Sequence, residues 1–74
     1  MYAVQVGAFE TSAAAESLRS ELAKRYKDVV VQSVDSERIF YRVRVGREPS
    51  AQAAEKLAGE LRKDDFMPFV VRLN

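Results

Sequence analysis

The side chains in this chain that can do chemistry are amides, guanidiniums and aromatics rather than acids, bases or nucleophiles. Its 74 residues include no histidine and no cysteine, which removes the commonest general base, the thiol nucleophile and the imidazole and thiolate metal ligands together. The serines fall in helix caps, on helix surfaces or in turns, without a base partner, and the paired acids Asp64 and Asp65 sit at a helix end. Acid–base or nucleophilic catalysis needs such partnered groups, so the chain reads as non-enzymatic and without a cofactor. The acids are scattered rather than gathered on a loop at oxygen-ligand spacing, which argues against a metal site. What remains is Gln5, Gln32 and Arg72 on short alternating segments, with Phe40, Arg42 and Arg44 at alternate positions of another. Hydrogen-bonding forks beside flat apolar surface suit a carbohydrate strand, whose hydroxyl and N-acetyl groups need the former and whose sugar faces need the latter.

These residues are useful only if secondary structure presents them together. The stretch YAVQVGAF from Tyr2 recurs, with changes, as YRVRVGRE from Tyr41. Strict alternation predicts one core face in each copy, Tyr2, Val4 and Val6 in the first and Tyr41, Val43 and Val45 in the second. The opposite face then carries Ala3, Gln5 and Gly7 in the first copy and Phe40, Arg42 and Arg44 in the second. After the first strand, Thr11 or Ser12 offers a cap to a helix from Ala13 to about Arg25, whose stripe is Ala14, Ala15, Leu18, Leu22 and Tyr26. Phe9 is expected beneath that helix.

Val29 to Val34 is β-branched and predicts a second strand, which the polar turn Asp35–Arg38 joins as a hairpin to a third, Ile39 to Gly46. Pro49 and Ser50 then open a helix from Ala51 to about Lys63, with Ala53, Ala54, Leu57 and Leu61 as its stripe. A last strand runs from about Pro68 to Leu73, with Phe69, Val71 and Leu73 expected inward and Val70 and Arg72 outward.

At an offset of 39, residues 2–25 and 41–64 share 11 identities in 24 positions, and the offset grows to 40 after the helices. The reading is a single domain over 1–74 built from a duplicated βαβ unit, 2–34 and 39–73. Right-handed crossovers joined by a hairpin interleave the units into an α+β ferredoxin-like sandwich: an antiparallel sheet of order 4-1-3-2 with two helices on one face. The two repeat strands become its central pair, and their outward residues meet in the middle of the uncovered face. That superfold hosts many functions, so the face and not the fold must name the ligand.

Composition narrows the partners. A net charge of +1 gives little bulk attraction to a polyanion, so anion affinity must come from locally placed arginines. No apolar run approaches the roughly 20 residues of a membrane span, and nothing in these residues reads as a leader segment. An RNA-binding module on the same fold would present stacking aromatics on both central strands, whereas here Phe40 is the one aromatic expected outward. A regulatory or dimerisation domain would bury an apolar sheet or edge, against which the arginines stand.

At YAVQVGAF with its alanine-rich helix, YRVRVG, Pro49 with a second such helix, and PFVV, the chain resembles the SPOR domain over essentially its whole length. That family occurs in bacterial cell-division and envelope proteins. The resemblance implies the ferredoxin-like fold and binding to septal peptidoglycan, at glycan strands that amidases have stripped of stem peptides. It also implies an extracytoplasmic location at the division site. No nucleic-acid partner or membrane insertion is expected, and the domain is expected to be monomeric. Carried over by position, the family's groove places its first-strand glutamine at Gln5, its turn positions at Gly7 and Ala8, and its third-strand outward positions at Phe40, Arg42 and Arg44. Some members have serine where this chain has Ala8, and others have a sheet tryptophan that this chain lacks; Phe40 is the candidate to replace it. Stripping a stem peptide frees the lactyl carboxylate of each N-acetylmuramic acid. Arg42, Arg44 and Arg72 can grip such carboxylates in bidentate forks, with Gln32 beside them.

Overall fold

Alternating valines build the sheet, and alanines let the helices approach it. The computed structural model describes residues 1–73; Asn74, the last residue of the domain expected over 1–74, lies outside the described residues. The elements run β1 (Tyr2–Phe9), α1 (Ser12–Ala23), β2 (Val30–Asp35), β3 (Ile39–Glu48), α2 (Ala51–Lys63) and β4 (Phe69–Arg72). All neighbouring strands are antiparallel in the order β2-β3-β1-β4, which is the expected 4-1-3-2 sheet viewed from its other edge. Val4, Val43 and Val45 are fully buried in one cluster with Ala15 and Leu22 of α1 and Ala54, Ala58 and Leu61 of α2. Both helices therefore cover the same face, and the other face of the sheet is left open.

Local chemistry sets the helix limits. The Thr11 hydroxyl accepts the Ala14 N–H at 3.2 Å and the Ser50 hydroxyl accepts the Ala53 N–H at 3.1 Å, so each helix begins at a side-chain cap. At the end of α2 the Phe66 N–H bonds the Leu61 carbonyl and the Asp65 N–H bonds the Arg62 carbonyl. With Asp65 at φ 67°, this is a Schellman turn carrying aspartate where glycine is usual. The turn delivers Phe66 onto the core. Asp64, just before it, accepts the Tyr26 hydroxyl at 2.9 Å and pairs with Arg25, tying the exit of α1 to the exit of α2.

Two irregularities change the expected alternation in the central pair. Between Gln5↔Arg44 and Gly7↔Val43, β1 carries one extra residue, a β-bulge that shifts Gly7 to the helix side. A Cβ at Gly7 would lie 3.0 Å from the Phe9 ring and 3.4 Å from Leu18, so Gly7 is not on the open face as the strict period predicted. Phe9, as expected, packs with the core beside Leu18. A second shift, between Tyr2↔Glu48 and Val4↔Val45, puts the extra residue in β3 around Gly46, whose φ is +82°. The Gly46 N–H donates to the Asp28 carbonyl at 3.1 Å.

The last strand has the opposite phase to that expected. Val4 pairs with Val70 and Gln5 with Phe69, and directly opposed residues share a face. Val70 therefore joins the core, Phe69 and Val71 lie on the open face, and Arg72, opposite Tyr2, belongs to the helix side. The reason lies upstream: the Schellman turn places Phe66 inward, filling the core position that Phe69 was expected to take.

Gly46 and Gly59 make opposite demands on a methyl group. At Gly46 a Cβ would sit 2.5 Å from Leu57 Cδ2 on a left-handed backbone, whereas at Gly59, inside α2, it meets nothing within 4 Å. Gly46→Ala is expected to lose about 1–3 kcal/mol in urea unfolding, and Gly59→Ala to gain about 0.5–1 kcal/mol. Equal effects would contradict the bulge geometry.

Candidate functional site

The open face is read most simply across the strands. One row runs Val30, Arg44, Gln5, Phe69 from β2 to β4, and the next runs Gln32, Arg42, Ala8. Beyond them Val34 opposes Phe40. Gln5, Gln32, Ala8, Phe40, Arg42 and Arg44 thus converge as expected. Gly7 and Arg72 do not, because the β1 bulge and the phase of β4 turn them to the helix side. Arg72 therefore cannot complete an arginine triad with Arg42 and Arg44.

The polar groups in this face are held tightly. Gln5 is only 8% exposed although it lies on the uncovered side, because Arg44 and Phe69 flank it on the neighbouring strands. The Arg44 Nε is buried without a hydrogen-bond partner, and a buried unmatched donor costs free energy. The Arg42 guanidinium carbon lies 5.2 Å from the centroid of the Phe40 ring, within cation–π range. That contact holds the guanidinium against the ring.

Charge is sorted between the two sides of the molecule. On the helices Arg19 pairs with Glu16, Lys24 with Glu21, Arg25 with Asp64 and Arg62 with Glu55. The Arg19 contact holds the Glu16 carboxyl below its ordinary pKa, chiefly through the hydrogen bond. Among the described residues, Arg42, Arg44 and Arg47 have no carboxylate within salt-bridge distance. A near-neutral domain thereby offers a local strip of uncompensated positive charge.

Concavities flank this strip at both ends. One of about 300 Å³ is lined by Ala3, Val30, Gln32, Arg44, Gly46 and Arg47, among others. Another, of about 360 Å³, is lined by Ala8, Phe9, Glu10, Arg38 and Phe40. Both are shallow, and beside their apolar atoms and arginines each has one carboxylate in its wall, Asp28 in the first and Glu10 in the second. The shape suits an extended polar chain better than an enclosed small molecule. Among the described residues no group of three or more metal-ligating side chains comes together.

Phe69 is the residue that sequence reasoning missed. It is 53% exposed beside Gln5, so Phe40 is not the one outward aromatic. Because Phe69 stands on an edge strand and Phe40 on a central one, the face still lacks paired aromatics on its two middle strands. The visible signal was the extra residue between Leu61 and Phe66, where the repeat offset changes, which shifts the inward aromatic to Phe66.

Comparison with known proteins agrees with this architecture. The model of the SPOR domain family matches residues 1–72. The solution structure of the peptidoglycan binding domain of the Bacillus subtilis cell wall lytic enzyme CwlC is 34% identical, with a TM-score of 0.81 over 99% of this chain and 89% of that one. The crystal structure of the RlpA SPOR domain from Pseudomonas aeruginosa is 32% identical, with a TM-score of 0.84 over 99% of this chain and 100% of that one. A search of curated proteins returns no match. With the family pattern spanning both repeat strands, both helices and β4, this chain belongs to the SPOR domain family.

Proposed function

We propose that this domain is a non-catalytic peptidoglycan-binding module that recognises glycan strands lacking stem peptides through its open sheet face. The observation that carries the reading is the row Arg44–Gln5–Phe69 beside Arg42 and Phe40: unpaired guanidiniums, a nearly buried amide and apolar rings on one surface. Membership of the SPOR family supports it, as does likeness to a domain described as peptidoglycan binding. In this reading the domain works as a monomer in the extracytoplasmic bacterial envelope and brings its parent protein to the division site, without nucleic acid or membrane insertion. The duplicated βαβ origin explains why the two central strands supply equivalent positions.

The chemistry follows from what stem-peptide removal exposes. Each freed lactyl carboxylate is an acceptor for a guanidinium fork, and Arg42 and Arg44, two residues apart on β3, present forks roughly 7 Å apart along the strand. Gln5 can donate to and accept from an N-acetyl or hydroxyl group. Phe40 and Phe69 cover apolar sugar faces on either side. A strand that keeps its peptides lacks the carboxylate and adds bulk over the groove, so attraction and exclusion select for the same ligand.

Pulldown on purified sacculi, with and without amidase treatment, tests the reading. Binding is expected to rise after amidase treatment. Arg42→Gln or Arg44→Gln is expected to cost about 1.5–3 kcal/mol, roughly tenfold to a hundredfold in affinity, and Gln5→Ala less. Added salt should weaken binding, with a smaller slope in either arginine variant than in Gln5→Ala. Wild-type binding by a folded Gln5→Ala, Arg42→Ala, Arg44→Ala variant would exclude this face as the site.

The buried Arg44 Nε generates a separate expectation. Arg44→Met keeps the aliphatic stem and removes the unmatched donor, so it should unfold at equal or higher urea concentration, by up to about 1 kcal/mol, while binding glycan more weakly. A clear loss of stability would show that the arginine head supports the fold.

A further inference from the structure

The ion pair between Glu10 and Arg38 stands apart from the others. Glu10 directly follows β1 and Arg38 directly precedes β3, so the pair bridges the ends of the two central strands on the side where Phe40 and Arg42 lie. Both residues line the concavity whose other walls are Ala8, Phe9 and Phe40. The remaining arginines of this face, Arg42, Arg44 and Arg47, have no carboxylate partner among the described residues, whereas Arg38 has one.

The contact is built to be exchanged. Its single nitrogen–oxygen distance is 3.4 Å, longer than a strong charge-assisted hydrogen bond, and the two side chains are 79% and 77% exposed. Exposed pairs of this kind contribute little to stability, so a competing carboxylate can take the place of Glu10 at small cost. Arg38 and Phe40 line the same concavity at this end of the face, and Arg42 sits against the Phe40 ring.

We propose that Arg38 is a further anion-binding residue of the groove, masked in the free domain by Glu10, and that a ligand carboxylate arriving over Phe40 displaces Glu10 to claim it. This rests on the reading of the open face as a site for carboxylated glycan. Glu10 then acts as a selectivity element. A neutral polysaccharide has nothing with which to displace it and meets a groove end whose charge is already compensated, whereas a carboxylated strand unmasks an additional cation as it binds.

The experiment measures affinity for two probes: carboxylated, peptide-free glycan released from amidase-treated sacculi, and a neutral N-acetylglucosamine oligomer. Glu10→Gln should tighten binding of the carboxylated probe about twofold to fivefold, the size expected of an exposed ion pair, and leave the neutral probe unchanged. Arg38→Gln should weaken the carboxylated probe by a similar factor, and Glu10→Gln should add nothing in that background. Glu37→Gln, on the same turn but in no ion pair among the described residues, reports the effect of bulk charge alone and should change less. Both members of the pair are exposed, and circular dichroism of each variant should match the wild type.

Three outcomes overturn the proposal while leaving the glycan reading intact: no gain in Glu10→Gln, a gain that persists in Arg38→Gln, or a gain no larger than that of Glu37→Gln. Failure of the wild-type domain to bind the carboxylated probe at all overturns both.

Discussion

The pairing of β1 with β3 is the constraint on which the rest of the molecule depends. One side of this pair supplies Val4, Val43 and Val45, the fully buried centre against which both helices close. The other side supplies Gln5, Arg42 and Arg44. Because side chains alternate, a slip of one residue would carry the valines into solvent and the arginines into the core. Desolvating unpaired arginines beneath two helices is so unfavourable that the hydrophobic demand of the core also fixes the arrangement of the site. The two bulges act within this frame. One removes Gly7 from the open face and lets Ala8 oppose Arg42, and the other bends β3 at Gly46 under Leu57.

The helix layer carries its own compensation, whereas Arg42, Arg44 and Arg47 of β3 have no ion-pair partner among the described residues. Arg25 and Tyr26 at the end of α1 converge on Asp64 at the end of α2, locking the two exits together. Most other helix arginines and lysines that form pairs do so within their own helix, three or more residues apart. The open face instead holds a buried guanidinium nitrogen without a partner and an amide that is nearly buried. The buried nitrogen is a cost to the fold. Under the proposed function, an amide and guanidiniums held this tightly have little freedom left to lose on binding.

The repeat is informative through its departures as much as its identities. Gly7 and Gly46 occupy equivalent places in the two copies, yet only Gly46 among the two takes a positive φ. The first copy uses its glycine to clear space beneath Phe9 and Leu18, and the second uses its glycine for a backbone conformation that other residues resist. Likewise α1 ends without a left-handed residue, whereas α2 ends in a Schellman turn with Asp65 at positive φ. The added residue there separates the phases of the strands that follow.

Sequence alone determined the order of elements, the ferredoxin-like sheet, the core faces of β1 and β3, and the convergence of Gln5, Gln32, Phe40, Arg42 and Arg44. It could do so because each of those inferences rests on a period carried by the segment's own side chains: two in the valine strands, and three to four in the alanine and leucine helices. Three matters were decided only by tertiary structure. Gly7 left the open face because a bulge is a property of two strands hydrogen-bonded together. Phe69 and Arg72 exchanged the faces expected of them because β4 is short and apolar on both sides, so its phase came from Phe66 and from pairing with Val4. Arg38, read along the chain as part of a polar turn, met Glu10 only when the ends of β1 and β3 were brought side by side. For Gly7 and Arg38 the deciding contact joins residues far apart in sequence and no local pattern records it; for β4 the extra residue before Phe66 marked a change of phase, but pairing with Val4 decided it.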